Sequence, residues 1–105
     1  MASFWRARMA ARMAGMCWKP AIRAAIRARQ KLAITYPVDN DTAPRRVVRP
    51  LELEYWGRIW TTTCWCESSN DFKEFRVDRI ETLTVLPALF VEEQGKTLID
   101  YRARL

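Results

Sequence analysis

The residues able to do chemistry are few in kind. The 105-residue chain holds three cysteines (Cys17, Cys64 and Cys66), twelve carboxylates, eighteen Lys and Arg, and no histidine. Without histidine, no side chain of ordinary pKa titrates near neutrality to serve as a general base. No nucleophile stands beside a base, and the three glycines form no phosphate-cradling loop. The expectation is a protein that is not an enzyme. Cys64-Trp65-Cys66 invites a metal or redox reading, but structural zinc needs four ligands. On one face of a strand, Cys64 and Cys66 read instead as small buried hydrophobes. No metal and no cofactor are expected. An odd cysteine count is poor material for a disulfide framework and suits a reducing, cytoplasmic setting.

What remains is positive charge, unevenly placed. The formal net charge is +6, yet residues 1–38 carry eight basic side chains and no acidic one, while residues 39–105 carry ten basic and twelve acidic. Such asymmetry favours an anionic partner, nucleic acid or a membrane surface, over the plain alternative of a solvated basic helix. No apolar run approaches the roughly 20 residues that span a bilayer. Arginines interrupt any secretory-signal core in the N-terminal segment.

The elements that must carry these groups follow from periodicity. Residues 1–19 are rich in Ala, Met and Arg and are expected to be helical or disordered, with residues 1–18 lacking a fixed place in the domain at 20–105. Pro20 suits the first turn of a helix running to about Lys31, with Ile22, Ala25, Ile26 and Arg29 on one face. From Leu32 to Tyr36 the period becomes two. Residues 37–44 read as a loop. A second strand spans Arg45–Trp56, with an edge or bend at Pro50. There Leu51, Leu53 and Tyr55 alternate with Glu52 and Glu54, which read as a solvated face. A third strand, 58–67, places Trp60, Thr62, Cys64 and Cys66 on one face. After a turn at 68–71, strands are expected at Phe72–Ile80 and Thr82–Leu86, the last ended by Pro87. A short helix with Thr97 as N-cap closes the chain. Trp56, out of phase with its neighbours, is the expected exposed aromatic. One helix and five short strands give a mainly β (α+β) fold of small-barrel size.

The runs RVVRPLELEYWGRIWTTTCWCE (46–67) and DFKEFRVDRI (71–80) resemble the WYL family, with similarity extending from about Pro20 to Arg104. The name-giving tripeptide falls on Trp60-Thr61-Thr62, where Thr62 replaces the usual leucine. Ser69 and Lys73 stand where the pattern often has arginine. The resemblance implies an SH3-like or Sm-like β-barrel that senses a ligand within bacterial transcriptional regulators. That ligand would be single-stranded nucleic acid or a nucleotide-like anion. The matching family residues are Tyr36, Arg46, Trp60, Arg76, Asp78 and Arg79. Arginines can grip phosphate in a bidentate fork and aromatics can stack on bases. Along a regular strand Arg76 and Asp78 would share a face and Arg79 would oppose them. Residues 1–19 are too few for the family's helix-turn-helix part, so a homodimer or a DNA-binding partner protein is the expected company. The alternative is a non-catalytic protein-interaction module, or a truncated regulator, whose basic N-terminal segment does the binding.

Overall fold

The computed structural model describes residues 18–37 and 45–105. The expectations for residues 1–17, and for the loop at 38–44, lie outside the described residues. Helix α1 spans Lys19–Ala28 with Pro20 in its first turn. It stops three residues short of Lys31. Arg29 adopts the left-handed conformation (φ 54°), and its N–H bonds back to the carbonyls of Ala25 and Ile26, closing the last turn. The buried face is Ile22 and Ala25, with Ile26 half-covered.

Five antiparallel strands follow: β1 (Gln30–Thr35), β2 (Arg45–Tyr55), β3 (Trp60–Cys66), β4 (Asp71–Arg76) and β5 (Thr82–Leu89). Their hydrogen-bonded order is β4-β3-β2-β1-β5. The expected mainly β fold, with its leading helix, is present. Among the described residues no ladder joins β4 to β5, so the sheet is not closed into a barrel by strand pairing. The inner face is set by register. Leu32 lies opposite Val48 and Ile34 opposite Arg46. Cys66 lies opposite Val48, and Phe75 opposite Thr62. Opposite residues project from the same face. That face and α1 enclose a core of Trp18, Ile22, Leu32, Ile34, Val48, Cys64, Cys66, Phe75, Val77, Ile80 and Leu83.

Three sequence expectations are corrected and one, at Pro50, is narrowed. Trp18 is not part of an unplaced arm: it is 3% exposed, and its indole Nε1 donates to the Ile80 carbonyl at 3.0 Å. Of the edge or bend expected at Pro50 the structure shows the bend, because β2 runs between β1 and β3 and is no edge. The β2–β3 register slips between Pro50 and Glu52, a bulge that tolerates the missing N–H. The strand expected over 72–80 ends at Arg76, and Val77–Arg79 form a 3₁₀ turn. Finally, Pro87 does not end β5. It lies inside an edge strand, beside a second register shift between Gln30 and Leu32, where no outer partner needs its donor.

The C-terminal helix α2 (Leu98–Ala103) begins as expected at Thr97. The Thr97 hydroxyl accepts from the Asp100 N–H, and the Asp100 carboxylate accepts from the Thr97 N–H, a reciprocal cap. Tyr101 of α2 packs on Phe72 (5.3 Å between rings), which meets Trp65 edge-on. The outer face of β3 is therefore covered rather than solvated: Thr61, Thr63 and Trp65 are all buried.

Candidate anion-binding site

Arg46 is placed by the β1–β2 ladder. It stands opposite Ile34, on the inward face in phase with Val48. A guanidinium is thereby directed toward the end of an apolar core. Its Nε is buried and has no hydrogen-bond partner among the described residues. The side chain reaches the Cys66 thiol, one of the groups that act on it.

Cys66 ends β3 where the chain turns through Ser68, Ser69 and Asn70. Asn70 takes the left-handed conformation (φ 53°) that its short polar side chain tolerates. The Cys66 Sγ lies 3.5 Å from Ser69 Oγ. Burial pushes the Cys66 thiol up. The Ser69 hydroxyl, the backbone N–H groups of Ser69 and Ser68, and Arg46 outweigh that and bring it below the ordinary thiol value. Cys64, two residues earlier and fully enclosed, is pushed up to about 12 by burial. The end of β3 thus stabilises negative charge at one sulfur and not at the other.

Tyr36 follows β1 in phase with Ile34. Its ring meets Phe75 edge-on at 5.0 Å, and its hydroxyl accepts from the Arg76 backbone N–H at 3.2 Å. This links the end of β1 to the end of β4. Arg76 then forms a two-pronged pair with Asp78, at 3.1 and 2.8 Å. The pair is half exposed, so it stabilises little by itself. It holds the Asp78 carboxyl below its usual value, the Arg76 hydrogen bond being the main cause. Arg79 is exposed at the end of the 3₁₀ turn. The turn replaces the strand geometry that would have set Arg79 opposite Arg76.

Trp60 is half-buried against the core. Its ring lies 4.9 Å from that of Tyr55, and the Lys19 ammonium sits 4.6 Å from its centroid. An incoming base would have to displace one of these. Trp56 is 60% exposed, as its phase suggested, and its Nε1 donates to Thr61 Oγ1 at 2.7 Å. The structure therefore joins Tyr36, Arg76 and Asp78 directly, with Arg79 adjacent in the chain. Arg46 lies on the same inner face as Tyr36, and Trp60 packs separately against Tyr55 and Lys19.

Two features escaped sequence reasoning. The anchoring of Trp18 was available as a helical stripe: Trp18, Ile22 and Ala25 are spaced i, i+4, i+7. The polar turn around Cys66 carried no comparable signal, because it depends on Arg46 arriving from another strand. Elsewhere, Arg49 bridges Glu67 (2.7 Å) and Glu93 (2.8 Å), and Lys31 joins Glu67 at 2.9 Å. Arg49 lines a cleft of about 230 Å³ with Arg29, Phe90 and Lys96, and each of these cations is paired with a carboxylate. Among the described residues no group of three or more Cys, Asp or Glu could hold a metal ion.

The chain was compared with known proteins. The model of the WYL domain family matches residues 19–85. Among solved structures, the chain is similar to proteasome accessory factor B/C (PafBC) of Arthrobacter aurescens, with a TM-score of 0.64 and 28% identity. That match covers 73% of this chain and 12% of PafBC, so this chain spans a small part of its relative's length. No curated protein matches.

Proposed function

The chain belongs to the WYL-domain family, and from that premise we propose that it is a regulatory, ligand-sensing module. Its ligand is single-stranded nucleic acid or a nucleotide-like anion, held by Arg46, Arg76 and Arg79. One observation carries the reading: among the described residues the buried Arg46 Nε has no acceptor. A buried donor left unpaired is costly, and an anionic oxygen is the acceptor it lacks. The lowered Cys66 thiol supports the same reading, since it marks a place that favours negative charge. Arg76 and Arg79 lie on the exposed side, where a phosphate can exchange with the Asp78 carboxylate. The role is binding rather than catalysis, in the cytoplasm, as part of a transcriptional regulator. Its company is a second copy of the chain or a DNA-binding partner protein. No helix of the described residues is long and apolar enough to cross a membrane.

The test is a low-salt titration with fluorescent oligothymidylate and with duplex DNA. Binding should prefer the single strand and weaken steeply with salt. Arg76→Ala combined with Arg79→Ala should weaken it while circular dichroism stays unchanged. Unchanged affinity in that folded variant counts against the site. The charge distribution favours a second reading, in which residues 1–17 bind any polyanion. Deleting residues 1–17, which spares buried Trp18, separates the two. Equal binding of heparin and oligonucleotide, lost on deletion, would assign the activity to the basic segment.

A further inference from the structure

A second face of the sheet bears the opposite charge. The bulge after Pro50 turns Glu52 and Glu54 outward. Glu52 stands opposite Thr63, and Glu74 stands opposite Thr63 from the other side, so the three form one transverse row. Glu54 stands opposite Thr61 in the next row. Glu52, Glu54 and Glu74 line a cleft of about 340 Å³ with Trp56, Tyr101 and Arg102. Arg102 bonds Glu52, and among the described lining residues it is the single cation. Arg76, in the row of Glu54, is turned to Asp78. Desolvation first, then the charge of Glu52, a hydrogen bond with Glu52 and the charge of Glu74 push the Glu54 carboxyl up against the lowering effect of Arg102, so the carboxylates crowd one another here.

A cluster of acids alone would be unremarked surface. Beneath it, however, lies an unsatisfied polar group. Thr63 is 1% exposed, and its Oγ1 has no hydrogen-bond partner among the described residues. Its neighbours are satisfied: Thr61 Oγ1 accepts from Trp56, and Thr62 Oγ1 donates to the Glu52 carbonyl at 2.9 Å. The orphan hydroxyl sits between the two carboxylates that could accept from it, and neither closes over it. The Glu52 carboxylate is held by Arg102 instead, and a second cation over the row would find Glu54 and Glu74 as its acceptors. Beside the row, Trp56 offers an exposed indole fixed by its bond to Thr61.

We propose that this slot receives the guanidinium of an arginine carried on a basic segment of a partner protein. The chemistry favours arginine over lysine. A planar guanidinium stacks on an indole while its fork engages two carboxylates, whereas an ammonium is a single point charge. The net negative charge of the slot supplies the complementarity, and Trp56 is the residue type that concentrates energy at interfaces. The slot lies on the face opposite Arg46, and Arg76, which shares the outer face in the row of Glu54, is turned to Asp78, so the two bindings are read separately.

The probe is the acetylated, amidated peptide Gly-Arg-Gly-Arg-Gly, titrated at low salt into the full chain. The readout is the indole N–H resonance of Trp56, assigned with Trp56→Phe. Saturable shifts are expected, with the lysine peptide weaker. The citrulline peptide, neutral but equal in shape, should give no saturable shift. Glu54→Gln with Glu74→Gln should weaken the arginine peptide by about tenfold or more, the scale of losing charge-assisted bonds, and leave oligothymidylate binding unchanged. Equal binding of the citrulline peptide, or no saturable shift in the wild-type chain, overturns the proposal. Saturation that appears only when Arg6, Arg8 and Arg12 are all changed to Gln also overturns it, by assigning the slot to the chain's own basic segment.

Discussion

Arg46→Met separates a ligand-binding arginine from a structural one. Methionine keeps an unbranched apolar stem and removes the guanidinium, including the buried Nε that has no acceptor among the described residues. An unpaired buried donor costs about 1–3 kcal/mol. Part of the gain from removing it is offset by losing the contact with Cys66. The ligand-free domain should therefore gain about 1 kcal/mol of stability. For a domain of this size that raises Tm by about 4–8 °C. The same change removes charge-assisted bonds to the anion, each worth about 1.5–3 kcal/mol, so oligothymidylate affinity should fall by about 10–150-fold. Urea denaturation without ligand gives the first quantity, and fluorescence anisotropy at fixed ionic strength gives the second. A third readout is the Cys66 thiol, whose titration, followed by thiolate ultraviolet absorbance, should move up once Arg46 is gone. A variant destabilised by about 1 kcal/mol or more, with affinity unchanged, would refute the reasoning. Arg46 would then be a brace for the Cys66–Asn70 turn and not a ligand contact.

Other outcomes follow from the packing and the charges. Trp18→Ala should cost about 3–5 kcal/mol in urea denaturation, as for other buried aromatics, and Trp18→Phe, which loses mainly the bond to Ile80, about 1 kcal/mol. Burial raises the Glu67 carboxyl, but Lys31 and Arg49 overcome this and hold it below the usual carboxylate value. Its contribution is therefore complete above the unfolded value of about 4.3 and is lost as pH falls through the lower folded value. Glu67→Gln should lower stability at pH 7 and flatten the acid limb of a stability–pH curve; an unchanged acid limb counts against this. Asn70→Val should cost about 1–2 kcal/mol because a β-branched residue resists φ 53°, while Asn70→Gly should be neutral or stabilising by thermal melting.

Most of the architecture was legible because it is periodic. The alternation in WTTTCWC marked a strand with both cysteines inward, and Thr97 marked the last helix by its cap. What was not legible depended on long-range partners or on breaks in period. Arg29 ends α1 by taking a left-handed turn, for which its residue type gives no warning. Val77, Asp78 and Arg79 continue a strand-like pattern yet coil into a 3₁₀ turn. That turn leads into the buried Ile80, whose carbonyl receives Trp18. At the candidate site, residue types came from resemblance, while their arrangement required the fold. Only the β1–β2 register makes Arg46 an inward guanidinium, and only the Tyr36 hydroxyl ties β1 to the start of the Arg76–Asp78 pair.

The two charged faces of the sheet depend on one irregularity in β2. Before it, Arg46, Val48 and Pro50 face inward. Strict alternation would continue with Glu52 and Glu54 on that same inner face. Burying two carboxylates among Cys64, Phe75 and Leu83 would cost several kcal/mol each. The register slip at Leu51 absorbs one residue. It turns both glutamates outward and brings Leu53 against the core instead. Proline suits the position before the bulge because its missing N–H is no loss where the ladder is already broken. The irregularity thus lets a single strand present a buried cation on its inner face and a row of carboxylates on its outer one, in two environments that do not compete for the same counter-ion.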